Sequence, residues 1–163
     1  MTPEQPHYTS DRPFDINDHF DGLFVVCSDG RFEEHVNDFR EYLRKKLGIR
    51  RLDRYFIPGA QLQFVTEEAG YLSTDEATAF WSRFYIDNHH LSYVVIVGHE
   101  LCAAYRLAPA YQGFSPEQLR ERQEEHLRRR GELLRAEYPN VRVHLYYMKP
   151  KSDNSAVDFF VVK

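Results

Sequence analysis

Tyr93-Val94-Val95-Ile96-Val97-Gly98-His99-Glu100-Leu101-Cys102 is the stretch on which the fold of this chain turns. A continuous apolar run from Tyr93 to Val97 predicts a strand buried on both faces, the kind found in parallel sheets covered by helices. A glycine ends the run, and a histidine and a cysteine follow it, three residues apart. The segment Leu23-Phe24-Val25-Val26-Cys27-Ser28-Asp29-Gly30-Arg31 has the same build, a short apolar run and then a cysteine. These two cysteines are all the chain has. Two thiolates and one imidazole form a zinc-type ligand set, and three protein ligands leave a position open for water, as catalytic sites do.

Working outward, a helix is predicted over 33–47, with Phe39, Tyr42, Leu43 and Leu47 on one face and Gly48 as terminator. Arg54–Ile57 is a second strand, closed by the turn pair Pro58-Gly59, whereas Leu62–Val65 fits strand and helix equally. Ser73 and Glu76 make a capping box for a helix reaching about Asn88, with Ala77, Phe80, Trp81 and Phe84 inward. Ser115-Pro116-Glu117-Gln118 opens another helix, about 116–137, with Leu119, His126, Leu127, Leu133 and Leu134 on one side. Val141–Tyr147 and Val157–Val162 are the fourth and fifth strands, the fifth at an edge; Tyr55, Phe56, Trp81 and the pair Tyr146-Tyr147 read as packing residues.

Strands alternating with helices predict an α/β fold: an open, mostly parallel sheet of order 2-1-3-4 with an added edge strand and helices on both faces. In that order strands one and three are neighbours, and the direction of winding switches between them. Ligands bind in such sheets at that crevice, beyond the carboxyl ends of the strands. Cys27, His99 and Cys102 therefore converge by topology. The spacing of His99 and Cys102 further places them on one side of a helical or turn segment leaving strand three.

At 163 residues the chain has the length of one domain, divided here into a polar arm, 1–20, and a zinc-binding α/β domain, 21–163. A net charge of −4 gives no electrostatic case for nucleic acid or an anionic membrane. Arg128-Arg129-Arg130 is interleaved with Glu121, Glu124, Glu125 and Glu132 and reads as a solvated helix face. No apolar run reaches the ~18 residues that span a bilayer. Met1–Asp21 lacks a signal-peptide core, so a cytoplasmic location is expected, where two thiols suit a metal better than a disulfide.

The two motifs together resemble the β-class carbonic anhydrases, whose signature is Cys-x-Asp-x-Arg after the first strand and Gly-His-x-x-Cys after the third. Here these stand as Cys27-Ser28-Asp29-Gly30-Arg31 and Gly98-His99-Glu100-Leu101-Cys102, and the resemblance runs over 22–163. It implies Zn2+ held by Cys27, His99 and Cys102. It also implies a catalytic dyad, in which Arg31 clamps Asp29 and Asp29 orients zinc-bound hydroxide toward carbon dioxide, yielding bicarbonate reversibly. In some members that Asp swings onto the metal and shuts the site. A homodimer or higher homo-oligomer is implied as well. Two thiolates offset the metal's charge, so activity is expected to rise on the alkaline side. His19, His89, His90 and His144 are candidates to relay the released proton.

The chain departs from the family in several places. The glutamine that many members carry ahead of the first cysteine has no match, Asp18 and His19 standing there. Ile57-Pro58-Gly59-Ala60 replaces an Arg-Asn-Ala-Gly stretch, Ala103 replaces a glycine, and the long N-terminal helices are missing. Other readings stay open at this point. They are a related zinc hydrolase of carbonyl sulfide or carbon disulfide, a non-catalytic zinc-binding regulatory module, and a Cys27–Cys102 redox pair. For Asp29 and Arg31 the plainer alternative is an ion pair that caps the next helix.

Overall fold

The two continuous apolar runs become the central strands of the sheet. The computed structural model describes residues 20–64, 70, 83–87 and 89–163. Five strands, β1 (Gly22–Val26), β2 (Leu52–Phe56), β3 (Tyr93–His99), β4 (Arg142–Pro150) and β5 (Val157–Val161), lie in the order β2-β1-β3-β4-β5. The first four are mutually parallel, and β5 pairs antiparallel with β4 at the edge. This is the predicted architecture. β2 starts two residues earlier than the pattern suggested and ends at Phe56.

Helix α1 (Glu33–Leu47) has the predicted bounds, and Gly48 ends it in the left-handed conformation, φ 65°, which costs a glycine little. Helix α2 is the short Ala103–Leu107, and α3 (Pro116–Glu137) starts on the predicted capping box of Ser115 and Gln118. Side-chain alternation sorts the strands between two helical layers. Phe24, Val26, Val95, Val97 and Met148 meet Val36, Phe39 and Leu43 of α1 on one face. Leu23, Val25, Val94, Ile96, Leu145 and Tyr147 meet Leu127 and Leu134 of α3 on the other. Each such side chain contributes on the order of 1.5–3 kcal/mol when fully buried.

Several predicted details shift. Leu62 lies in a 3-10 turn, Ala60–Phe64, because Pro58 and Gly59 (φ 74°) reverse the chain just before it. Tyr42 and Leu133, placed inward by helical spacing, are exposed on the rims of α1 and α3, and Phe84 is exposed too. Tyr42 still stacks on Phe39, with centroids 6.1 Å apart. Arg130 is not solvated like its neighbours: it is half-buried, its guanidinium 4.0 Å above the Phe64 ring. Residues 83–87 are helical, with Ile86 buried, while Ser73, Glu76, Ala77, Phe80, Trp81, Asn88 and the arm through His19 lie outside the described residues. No helix among the described residues is long and apolar enough to cross a membrane.

Candidate metal centre

The site grows from a difference in strand length. β1 stops at Val26, opposite Val97, but β3 continues through Gly98 and His99 because β4 runs on beside it, pairing Tyr147 and Met148. The Glu100 N–H extends this ladder to the Met148 carbonyl at 2.9 Å. His99 is thus a strand residue, not part of a helical segment as its spacing to Cys102 suggested. Leu101 then bends the chain at φ 60°, an uncommon conformation for leucine, and delivers Cys102 as the N-cap of α2. Cys27, the first residue after β1, lies alongside.

The sulfurs of Cys27 and Cys102 and a ring nitrogen of His99 all lie within 4.8 Å of one another. His99 and Cys102 are buried and Cys27 is half-buried. His99 Nδ1 stands 2.8 Å from the Glu100 carbonyl. A carbonyl only accepts, so the proton belongs on Nδ1 and the lone pair on Nε2. Nε2 is buried and has no hydrogen-bond partner among the described residues. An orphaned imidazole lone pair facing two thiols fits a soft divalent metal, and the Nδ1 bond to a backbone carbonyl is the usual outer support of such a ligand.

The thiols themselves are unlike. A hydrogen bond from Cys102 draws the Cys27 thiol down to about 4, helped by His99 and the Gly59 N–H and opposed by burial. The Gly59 nitrogen lies 3.2 Å from the sulfur. Cys102 is pushed up by the same bond to Cys27 and by burial. The pair holds one negative charge between them, and a thiophilic cation would take the second proton's place.

Asp29 and Arg31 are brought to the mouth of this cluster. Arg31 Nε donates to Oδ1 at 2.9 Å and Nη2 to Oδ2 at 2.5 Å, a two-pronged grip. The Arg31 guanidinium holds the Asp29 carboxyl below the usual carboxylate range. Asp29 Oδ1 also accepts the Arg31 backbone N–H, capping the 3-10 turn Gly30–Phe32, so the structural role is present whatever else the pair does. Arg31 Nη2 further reaches the Leu101 carbonyl at 3.4 Å, which ties the first loop to the second.

Two cavities open on this corner. One of about 210 Å³ is bounded by Cys27, Asp29, Glu33, Val36 and Phe56. The other, about 410 Å³, is bounded by Cys27, Asp29, Arg31, Pro58, Ala104 and Arg106. Cys27 and Asp29 border both. Phe56, expected in the core, is exposed at the rim of the smaller cavity. None of the histidines considered for proton relay borders either cavity among the described residues: His144 pairs with Val95 in mid-sheet, and His89 packs on Phe20.

Supporting residues escaped the sequence reading. Gly59 was read as a turn residue, and its N–H also holds the Cys27 sulfur. Phe32 packs on the His99 ring with centroids 5.0 Å apart. Buried Gln61 sits behind the end of β3, where a Cβ on Gly98 would lie 2.8 Å from its Nε2. Only the Pro58-Gly59 turn hinted that this segment returns to the site.

A family model described as "Putative carbonic anhydrase" matches residues 17–158. The chain belongs to the β-carbonic anhydrase family. Among solved structures, this carbonic anhydrase family member is similar to β-carbonic anhydrase isoform I of Trichomonas vaginalis, with 14% identity, 93% of this chain and 88% of that one covered, and a TM-score of 0.50. It is also similar to a carbonic anhydrase of Streptococcus mutans, with 15% identity, 96% and 89% covered, and a TM-score of 0.47. A carbon disulfide hydrolase in its apo form has 16% identity, 80% and 75% covered, and a TM-score of 0.42. At such identities the likeness concerns the fold alone. No curated protein matches the chain.

Proposed function

We propose that this protein catalyses the reversible hydration of carbon dioxide to bicarbonate at a zinc ion held by Cys27, His99 and Cys102. When bound, zinc supplies a Lewis acid that acidifies a coordinated water toward neutral pH. Cys27 and Cys102 bring two negative charges to it and so weaken that acidification, which puts the rise of activity on the alkaline side of pH ~7. Asp29, gripped by Arg31, offers acceptor lone pairs only, and so orients the proton of the attacking water while its oxygen bonds to the carbon of the substrate. Addition of one water to carbon dioxide gives bicarbonate and one proton, which passes to solvent through the cavities that Cys27 and Asp29 border. Arg31 prevents Asp29 from standing as an unpaired anion, a costly state beside buried thiolates.

The observation that carries this reading is the convergence of three ligand atoms, one an orphaned Nε2, beneath a carboxylate already committed to an arginine. That commitment favours an Asp29 that serves substrate over one that closes the site. The test is stopped-flow carbon dioxide hydration by protein of assayed zinc content, scanned from neutral to alkaline pH. A zinc-dependent rate that rises with pH and disappears in Cys102→Ser supports the proposal. Full zinc with no rate at any pH rejects it, and turns the search to carbonyl sulfide and carbon disulfide. The reading includes a homodimer, for which exposed Phe56 offers apolar surface beside the cavity; a monomer in sedimentation equilibrium would remove that part.

A further inference from the structure

Away from the metal corner, at the amino end of β2, the chain gathers positive charge. Residues 40–54 hold seven basic residues, Arg40, Arg44, Lys45, Lys46, Arg50, Arg51 and Arg54, against Glu41 and Asp53, in a protein whose net charge is −4. Four of them converge on one cleft of about 540 Å³: Arg40, Arg44, Arg51 and Arg54 line it with a single carboxylate, Asp53, and with Phe20 and Leu52. Arg40 and Arg44 are one turn apart on α1 and so share a face.

The guanidinium groups are positioned rather than loose. Arg54 Nη1 donates to Asn37 Oδ1 on α1 at 2.9 Å. Arg44 Nη1 donates to both oxygens of Glu41, at 3.0 and 2.8 Å, and its Nε to the Arg50 carbonyl at 2.8 Å. The acids nearby are already engaged: Glu41 by Arg44, and Asp53 by the Arg54 backbone N–H at 2.9 Å. Arg40 comes no closer to Glu41 than 3.6 Å, and its Nε is buried without a hydrogen-bond partner among the described residues. Burial, and then repulsion from Arg54 and Arg44, push the Arg40 pKa down. Like charges held together against repulsion, with a buried donor unspent, are suited to a missing counter-anion.

We propose that this cleft binds a multiply charged organic phosphate of the nucleoside polyphosphate class. Planar guanidinium forks match the paired oxygens of phosphates, and several around one cleft match several phosphates. The volume falls within the range of small-ligand pockets and exceeds what one phosphate needs, while Phe20 and Leu52 provide an apolar wall for the organic part. The charge is local and concave rather than a stripe along the surface, which favours a small ligand over a nucleic acid backbone.

The test is calorimetric titration of the zinc-loaded protein with ATP, pyrophosphate and adenosine at about 150 mM salt, where loose surface attraction is screened. Saturable one-to-one binding of ATP and pyrophosphate, without adenosine binding, is expected. It should weaken at least about tenfold in Arg40→Gln/Arg54→Gln, with zinc content and circular dichroism unchanged. Should that double variant not fold, the exposed Arg51→Gln reads the same loss at a smaller size. Equal affinity in wild type and variants overturns the proposal, as does the absence of ATP binding. A duplex oligonucleotide that binds where ATP does not overturns it in favour of a macromolecular partner. Binding is read without reference to hydration, so this outcome and that of the proposed activity are independent.

Discussion

The loops that leave β1 and β3 lie side by side, yet one is wet and the other dry. In the first, Cys27 is half-buried and the Arg31 side chain is 60% exposed. In the second, His99 and Cys102 are 1% and 3% exposed, and Leu101 is bent into a left-handed turn. The cause is the strand order. β3 is flanked on one side by β4, which outruns it and carries its ladder to His99, whereas β1's outer neighbour β2 ends at Phe56 and the chain turns away at Pro58-Gly59. The comparison teaches a division of labour: the dry loop fixes ligand geometry, and the wet loop meets substrate.

The sharpest way to break that division is to strike the dry loop. His99→Ala should cut zinc affinity by well over ~100-fold, taking bound zinc to a small fraction of one per chain and hydration to background. Metal analysis of the purified variant checks it; near-full zinc would mean that the two thiolates alone hold the ion. Asp29→Asn should spare zinc and lower kcat/KM by about 10²–10³, since it loses an acceptor needed where charge is reorganised. Loss of zinc in this variant would erase the distinction between the loops. Gly98→Ala is expected to cost about 1–3 kcal/mol through its clash with Gln61 and Leu127, a fall of some 2–4 °C in Tm for each kcal/mol. A melt unchanged from wild type would show that the end of β3 yields more easily than its packing suggests.

How much of this was legible in the sequence depends on range. Strand and helix identity came from local periodicity and caps, so β1, β3, α1 and α3 were readable, and sheet order followed from the alternation of elements. The convergence of Cys27 with His99 and Cys102 was readable because the two patterns follow neighbouring strands. The extension of β3 to His99 was not, because it is imposed by the greater length of β4, some fifty residues on. Nor was the return of Gly59 to the Cys27 sulfur, which depends on where a turn points rather than on the residues that make it. The exposure of Phe56 was hidden for a related reason: hydrophobicity does not reveal that β2 is an edge strand.

The finest probe of the wet loop is Arg31→Lys. A lysine keeps the charge but cannot grip both carboxylate oxygens at once. Asp29 in the wild type has its pKa lowered by the Arg31 hydrogen bonds. Its contribution to stability is therefore fully present above the unfolded carboxylate value of about 3.9 and is lost as pH falls through the lower folded value. The pair is largely solvent-screened, so the amount at stake is at most about 1 kcal/mol. With lysine at this position, the Asp29 carboxyl should move up toward the ordinary range and the acid loss should begin at higher pH, while neutral stability hardly changes. Carbon-detected titration of the Asp29 carboxyl in both proteins measures the shift directly. If Asp29 titrates identically with arginine and lysine, the two-pronged grip does not set its charge, and the wet loop is held in place by the capped turn alone.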